Sequence, residues 1–288
     1  MIQYGEDKYK GELISLWKLC FPEDSDAFIQ FYFDKVYENE NTLIYIEDDK
    51  VVSSLQIIPY PVKIGNVIFP AGYISGAMTH PGFQKKGHMA SLLNASFDEM
   101  KQKKYNYTFL IPQEEWLFDF YEKWGYERAF PIHKESIIET PGEVVGSNIL
   151  RDKSVKICRA IEETDMDDFY IIYSRFLMEK HNVVLKTKQH FVNILWDLFE
   201  DGGIALYNDW GIAFLYPQKE IITIREFFYF DEEIKREFLN TININYAGKE
   251  IIIHNNPNAP FLKYGGMIKS LDESIDPVCD IYMSMMLD

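Results

Sequence analysis

Six consecutive residues carry the densest chemistry in this chain: Gln84, Lys85, Lys86, Gly87, His88 and Met89. Two lysines and a histidine around one glycine make a local positive cluster in a chain whose formal net charge is -16. Beyond them, Met89, Leu92, Leu93, Phe97 and Met100 recur at three- and four-residue spacing, which predicts an amphipathic helix whose end carries Lys101, Lys103 and Lys104. The cluster therefore sits at a helix N-terminus, where backbone N–H groups lack intrahelical partners and the macrodipole is positive. The chemistry on offer is capture of an anion, with Gly87 letting it approach the main chain.

Positioning that loop requires a strand before it. Tyr73 to Thr79 has strand length, with the small residues Ser75, Gly76 and Ala77 in its middle, and Pro81-Gly82 ends it as a turn. Gly82 and Gly87 have the separation of a P-loop, but Lys and then Ser or Thr would have to follow, and the chain has His88 and Met89. A dinucleotide fingerprint needs three glycines where only these two occur. Both nucleotide readings fail.

Gln84 to Met89 resembles the Q/R-x-x-G-x-G/A signature of the GNAT N-acetyltransferases, departing from it at Met89, where Gly or Ala is usual. The run THPGFQKKGHMASLL is similar to the Eis-like branch, which often has a larger apolar residue there. A second match follows. Glu115 to Trp124 reads as a helix stopped by Gly125, and Tyr121-Glu122-Lys123-Trp124-Gly125-Tyr126 fits the Y-x-x-x-G-F/Y pattern near the end of a GNAT domain. Two signatures in the family's order imply that fold for residues 1 to about 140.

The resemblance implies acetyl-CoA as cosubstrate, an amine as acceptor, direct attack in a ternary complex, and no metal. It assigns Ala77, Met78 and Thr79 to backbone pairing with pantetheine at an unpaired strand edge, Gln84 through Met89 to the pyrophosphate, and Phe120 to the cofactor pocket. Tyr121 takes the role of general acid toward the coenzyme A thiolate. No base is assigned. His80, His88 and His133 are candidates, with His80 at a strand end and His88 within the loop; Glu114, Glu115 and Asp119 precede Tyr121 and could face an acceptor, but read first as solvated carboxylates favouring a helix N-terminus. The rival function is a non-catalytic acyl-CoA-binding sensor or interaction protein, against which Tyr121 argues. A purely structural partner subunit would not need Lys85-Lys86-Gly87.

A length of 288 residues predicts about two domains, and 47% hydrophobic residues supply a core for both. The acidic balance repels a phosphate backbone, so nucleic acid is not an expected partner, whereas a small cationic acceptor is attracted. Cys20, Cys158 and Cys279 are scattered and odd in number, which speaks against a disulfide framework or a zinc site. The N-terminal MIQYGEDKYK lacks an apolar leader core, and no run of about 18 apolar residues occurs, so neither membrane association nor export is expected. A cytoplasmic protein is the expectation, and self-association into a homo-oligomer is left open.

In chain order, helices are expected at Tyr9 to Cys20 and around Phe28, Phe31, Tyr32 and Val36. Strands follow at Thr42 to Glu47, Val51 to Ile58 and Val62 to Phe69, as hairpins broken at Pro59-Tyr60-Pro61, and then at Tyr107 to Ile111. Thr140 to Lys153 reads as a linker. Val155 to Ile161 reads as a strand, and Thr164 to Phe176 as a helix capped by Thr164. The second half is expected to be a degenerate copy of the first. Lys263-Tyr264-Gly265 echoes Lys123-Trp124-Gly125, putting Phe261 in the place of Tyr121, and Asp231-Glu232-Glu233 stands where an anion loop would be, after the strand Ile221 to Phe230. The expected fold class is mixed α/β: two tandem GNAT-like domains, a catalytic one over 1–140 and a degenerate one over 153–288. At 288 residues the chain is expected to be too short for the sterol-carrier-like domain that ends the Eis-like enzymes, so a role for the carboxylate of Asp288 is left open.

Overall fold

The computed structural model describes residues 1–137, 154–163, 165–254, 256, 258–272, 274–275 and 278–287. The linker, Thr164 and Asp288 lie outside the described residues. In order the elements are β1 (Ile2–Tyr4), α1 (Lys10–Cys20), α2 (Asp26–Lys35), β2 (Thr42–Glu47), β3 (Lys50–Ile64), β4 (Val67–Thr79), α3 (His88–Gln102), β5 (Tyr107–Leu110), α4 (Glu115–Glu122) and β6 (Glu127–Ile137). Then come β7 (Lys156–Cys158), α5 (Met166–Glu179), β8 (Asn182–Val184), α6 (Lys188–Glu200), β9 (Ile204–Asn208), β10 (Gly211–Pro217), β11 (Ile221–Tyr229), α7 (Glu232–Asn245), β12 (Glu250–His254) and β13 (Phe261–Ser270). Two compact units result: Met1–Phe130 with Gly265–Asp280, and Pro131–Tyr264 with Ile281–Leu287.

In the first unit the strands run β1-β2-β3-β4-β5-β13, with β4 and β5 parallel and the other pairs antiparallel. Every residue of β3 from Val51 to Ile58 is buried, as a strand covered by helices on both faces must be. Two glycines mark those faces. A Cβ on Gly72 would stand 2.5 Å from Met100 Sδ of α3, and one on Gly76 would stand 2.8 Å from the Trp17 ring of α1.

The expected break at Pro59-Tyr60-Pro61 does not occur, because β3 runs straight through it, with Pro59 opposite Gly72 and Pro61 opposite Pro70. The alternation of a strand turns the missing N–H of both prolines away from β4, so the ladder loses nothing there. The short β1 is an addition to the expected elements, pairing Ile2 with Tyr45.

The second unit repeats the order. A helix pair, α5 and α6, precedes the antiparallel β9, β10 and β11, and α7 then leads to β12, which lies parallel to β11. Its strands run β6-β12-β11-β10-β9-β7. One core layer packs Phe169, Tyr173 and Phe191 against Phe214 and Phe228, and another packs Ile234 and Phe238 of α7 against Ile222, Ile224 and Ile253.

Three expectations change here. The strand expected from Val155 shrinks to three residues, because Arg159 N–H turns to Glu163 Oε2 and Cys158 Sγ to the Ala160 carbonyl. The cap of α5 is Asp165, which accepts from Asp167 and Asp168 N–H. Phe261 does not occupy a helical position like that of Tyr121: it opens strand β13, which pairs Met267 with Leu110 in the first unit's sheet. Among the described residues nothing in the second unit corresponds to α4.

Candidate active site

The site begins where two parallel strands part. β4 pairs with β5 only from Ala71 to Ile74. Past Ile74, β4 bulges opposite β3 between Ser54 and Gln56, with Gly76 at φ +54°, and then continues to Thr79 without β5 beside it. His80 N–H donates to the Val52 carbonyl at 2.9 Å, so alternation turns the backbone groups of Ala77 and Thr79 to the open side. The Thr79 carbonyl there accepts from Gln84 Nε2 at 3.4 Å and from Cys20 Sγ at 3.5 Å. Met78 points its side chain into the core and its backbone toward β3, where its carbonyl accepts from Ser53 Oγ at 2.9 Å, so it offers a ligand neither group.

From that edge the chain passes through a single 3-10 turn, Pro81–Phe83, into the loop. Lys85 has φ +62° and Gly87 φ +86°, and α3 starts at His88. The six backbone N–H groups from Lys85 through Ala90 find no acceptor among the described residues, the next donor along the chain being Ser91 N–H to the Gly87 carbonyl. The two left-handed residues fold the loop back at the positive end of a helix, the setting in which successive amides line an anion-binding concavity. A Cβ on Gly87 would meet no protein atom, so the glycine is required by its backbone angle and by whatever fills the concavity.

The side chains of the loop do less than their charges promised. His88 is buried, its ring tilted against that of Tyr45 with centroids 4.3 Å apart, and its Nε2 lies 2.9 Å from Glu47 Oε2 but off the line a hydrogen bond needs. Lys86 Nζ lies 3.3 Å from Glu47 Oε1 and 4.4 Å from the centre of the Phe83 ring. Glu47, at the end of β2, thus offsets part of the positive cluster, and no spacing in the sequence pointed to it. Lys85 and Gln84 are exposed, and Met89 is half-buried.

α4 follows β5 as α3 follows β4, so both helices start at the same end of the parallel pair. Gly125, at φ +80°, ends α4, and Lys269 Nζ, donating to the Trp124 carbonyl at 2.7 Å, would stand 2.7 Å from any Cβ placed there. Phe120 and Tyr126 flank the Tyr121 ring at 5.1 and 5.7 Å, and Phe97 of α3 lies 6.0 Å from Tyr126, so aromatic contacts link α3 to Tyr121. The Tyr121 hydroxyl has no hydrogen-bond partner among the described residues, and burial pushes its pKa up to about 12.

On the face of the bulge toward α1 and α2, Tyr32 Oη lies 3.2 Å from Gln56 Oε1 and 3.2 Å from Ser75 Oγ. Trp17 Nε1 donates to Asp24 Oδ2 at 2.6 Å, and burial raises the Asp24 carboxyl above its ordinary range although that bond lowers it. The other candidates stand elsewhere. His80 Nδ1 accepts from Gly82 N–H, capping the 3-10 turn, and His133 Nδ1 lies 2.9 Å from the Ala259 carbonyl oxygen in the second unit. Glu115, Asp119 and Glu122 converge on Arg128 at 2.9, 3.6 and 3.1 Å, and the Trp116 indole donates to Glu114. Among the described residues no three His, Cys, Asp or Glu side chains cluster to hold a metal ion, and no helix is long and apolar enough to cross a membrane.

Residues 2–129 match the family model described as the acetyltransferase (GNAT) domain. No curated protein matches the chain. Among solved structures, a probable N-acyltransferase of unknown function from Enterococcus faecalis superposes with TM-score 0.72 at 14% identity, over 94% of this chain and 72% of that one. A GCN5-related N-acetyltransferase from Anabaena variabilis gives 0.71 at 15%, over 94% and 73%, and Eis1 from Mycobacterium abscessus 0.71 at 11%, over 94% and 74%. Residues 2–129 therefore form a GNAT acetyltransferase domain, and the chain shares the fold of these solved structures.

Proposed function

We propose that the first unit transfers an acetyl group from acetyl-CoA to the primary amine of a small cationic acceptor, by direct attack while both are bound. One observation carries this reading: an unpaired strand segment ends in a loop whose six amides have no acceptor among the described residues, all on one edge of one sheet. The backbone of Ala77 and Thr79 would pair with pantetheine amides, and the N–H groups of Lys85 through Ala90 would hold the pyrophosphate, with Lys85 adding charge. Phe120 would pack against the cofactor beside Tyr121.

In the reaction the acceptor nitrogen bonds to the thioester carbonyl carbon, the carbon–sulfur bond breaks, the amine loses a proton, and the sulfur gains one. Tyr121 supplies that last proton. A phenol at about 12 is a poorer acid than an ordinary thiol, so the transfer is uphill for a solvated thiolate. The burial that raises the phenol would also raise the basicity of a sulfur leaving beside it, which narrows the gap. No side chain is assigned as base.

The second unit serves as a non-catalytic copy in this reading. Eight residues separate β4 from α3, but only Phe230 and Asp231 separate β11 from α7. Asp231 accepts Ile234 N–H at 2.9 Å, so a carboxylate already occupies the helix start. The net charge of -16 concentrates cations near the protein and favours a cationic acceptor over nucleic acid.

The test is calorimetry with acetyl-CoA, followed by thiol release across simple amines, polyamines, aminoglycosides and peptide N-termini at rising ionic strength. One site per chain is expected, with release for a cationic amine whose kcat/KM falls with salt. Two equivalent sites, or an anionic acceptor, would overturn the reading.

A further inference from the structure

The second unit has its own splayed strand pair, and there the gap is a cavity. β11 pairs with β12 only from Ile221 to Ile224 and bulges between Ile224 and Glu226. Phe230 N–H donates to the Trp210 carbonyl at 3.0 Å, the counterpart of His80 and Val52 in the first unit. By the same alternation, Phe227 and Tyr229 turn their backbone N–H and C=O groups off β10 and into the gap. A cavity of about 320 Å³ occupies it, at the small end of the range for ligand pockets.

The cavity walls set what it can hold. Phe176 and Phe228 stack at 5.5 Å and give an apolar face. Lys180 Nζ lies 5.5 Å from the Phe228 ring centre and 4.8 Å from that of Tyr282. Burial pulls the Lys180 ammonium below its ordinary value while Glu226 and Glu179 act to raise it, and a charge so little screened by water interacts more strongly with an added anion than one at an open surface. Lys235 lies 3.9 Å from Glu135, and Glu179 stands exposed at the rim. A coenzyme A is excluded from this gap, because α7 opens with Asp231, Glu232 and Glu233 and no amide loop precedes it.

We propose that this gap binds a small, phosphate-free molecule carrying one amide and one carboxylate, the chemistry shared by N-acyl amino acids and dipeptides. The ligand amide pairs with the backbone of Phe227 and Tyr229 as an added strand would, its carboxylate meets Lys180, and an apolar side chain lies on Phe176 and Phe228. Glu179 separates the two sources: a dipeptide places an ammonium within its reach and an N-acyl amino acid does not. The site is independent of the catalysis proposed for the first unit.

The test titrates the ¹⁵N-labelled full chain with N-acetylphenylalanine, glycylphenylalanine, N-acetylphenylalaninamide and phenylpropionate. Saturable shifts of Lys180, Phe227 and Tyr229 amides are expected with the first two, and binding roughly tenfold weaker for the last two, each of which lacks one recognised group. Lys180→Gln should weaken N-acetylphenylalanine by a similar factor without affecting phenylalaninamide-type binding. If that variant does not fold, the four ligands on the wild type still decide. No saturable shift at these residues, or equal binding of all four compounds, would overturn the proposal.

Discussion

Tyr121 and Tyr126 meet edge to face with ring centroids 5.7 Å apart, yet among the described residues only Tyr126 has a partner for its hydroxyl, Thr108 Oγ1 at 3.1 Å. The two phenols therefore have different work. Tyr126→Phe leaves Thr108 Oγ1 buried without that bond, at a cost of about 1–3 kcal/mol in unfolding free energy. Denaturant titration should show the loss, and the folded variant should turn over at the wild-type kcat.

The loop should respond to backbone geometry more than to charge. Gly87→Val forces a β-branched residue to φ +86° and puts a side chain into the concavity, so acetyl-CoA affinity should fall by roughly tenfold or more. Lys85→Ala should cost less, and mainly at low salt. Lys86→Ala should cost least, because Glu47 already offsets that charge. Calorimetry giving equal losses for Gly87→Val and Lys85→Ala would contradict this ranking.

Glu226 of the second unit is fully buried, accepts from Tyr282 Oη and from Met285 N–H at 2.6 Å each, and is pushed by burial from 4.5 to about 7. A raised folded-state pKa means that the folded protein holds the proton more tightly than the unfolded chain. The associated stability is fully present below about 4.5 and is lost as pH rises through about 7, at no more than about 1.4 kcal/mol per pH unit. Glu226→Gln removes the titration, so its melting temperature should vary less than that of the wild type between pH 5 and about 7. An identical pH dependence in both proteins would show that Glu226 does not titrate there.

How much of this was legible depends on how local each cause is. The candidate loop and α3 are legible because a glycine, a charge cluster and a 3.6-residue period lie within twenty or so residues of one another. Burial of His88 was not, since it depends on Tyr45 and Glu47 from another strand. The unpaired end of β4 follows from where β5 stops, a property of two strands that neither encodes alone. Prolines misled at Pro59 and Pro61, which break a strand only if their N–H is needed. The echo at Phe261 matched residue types without elements, and the pairing of Met267 with Leu110 claims that segment as a strand.

The central claim is that Tyr121 protonates the departing thiolate, and its most direct test is kcat of Tyr121→Phe with a verified acceptor. The hydroxyl has no partner to lose among the described residues, so melting temperature and acetyl-CoA affinity should match the wild type while kcat falls ~10²- to 10⁴-fold. A Tyr121→Phe variant that turns over near the wild-type kcat would make Tyr121 a packing residue and contradict the mechanism.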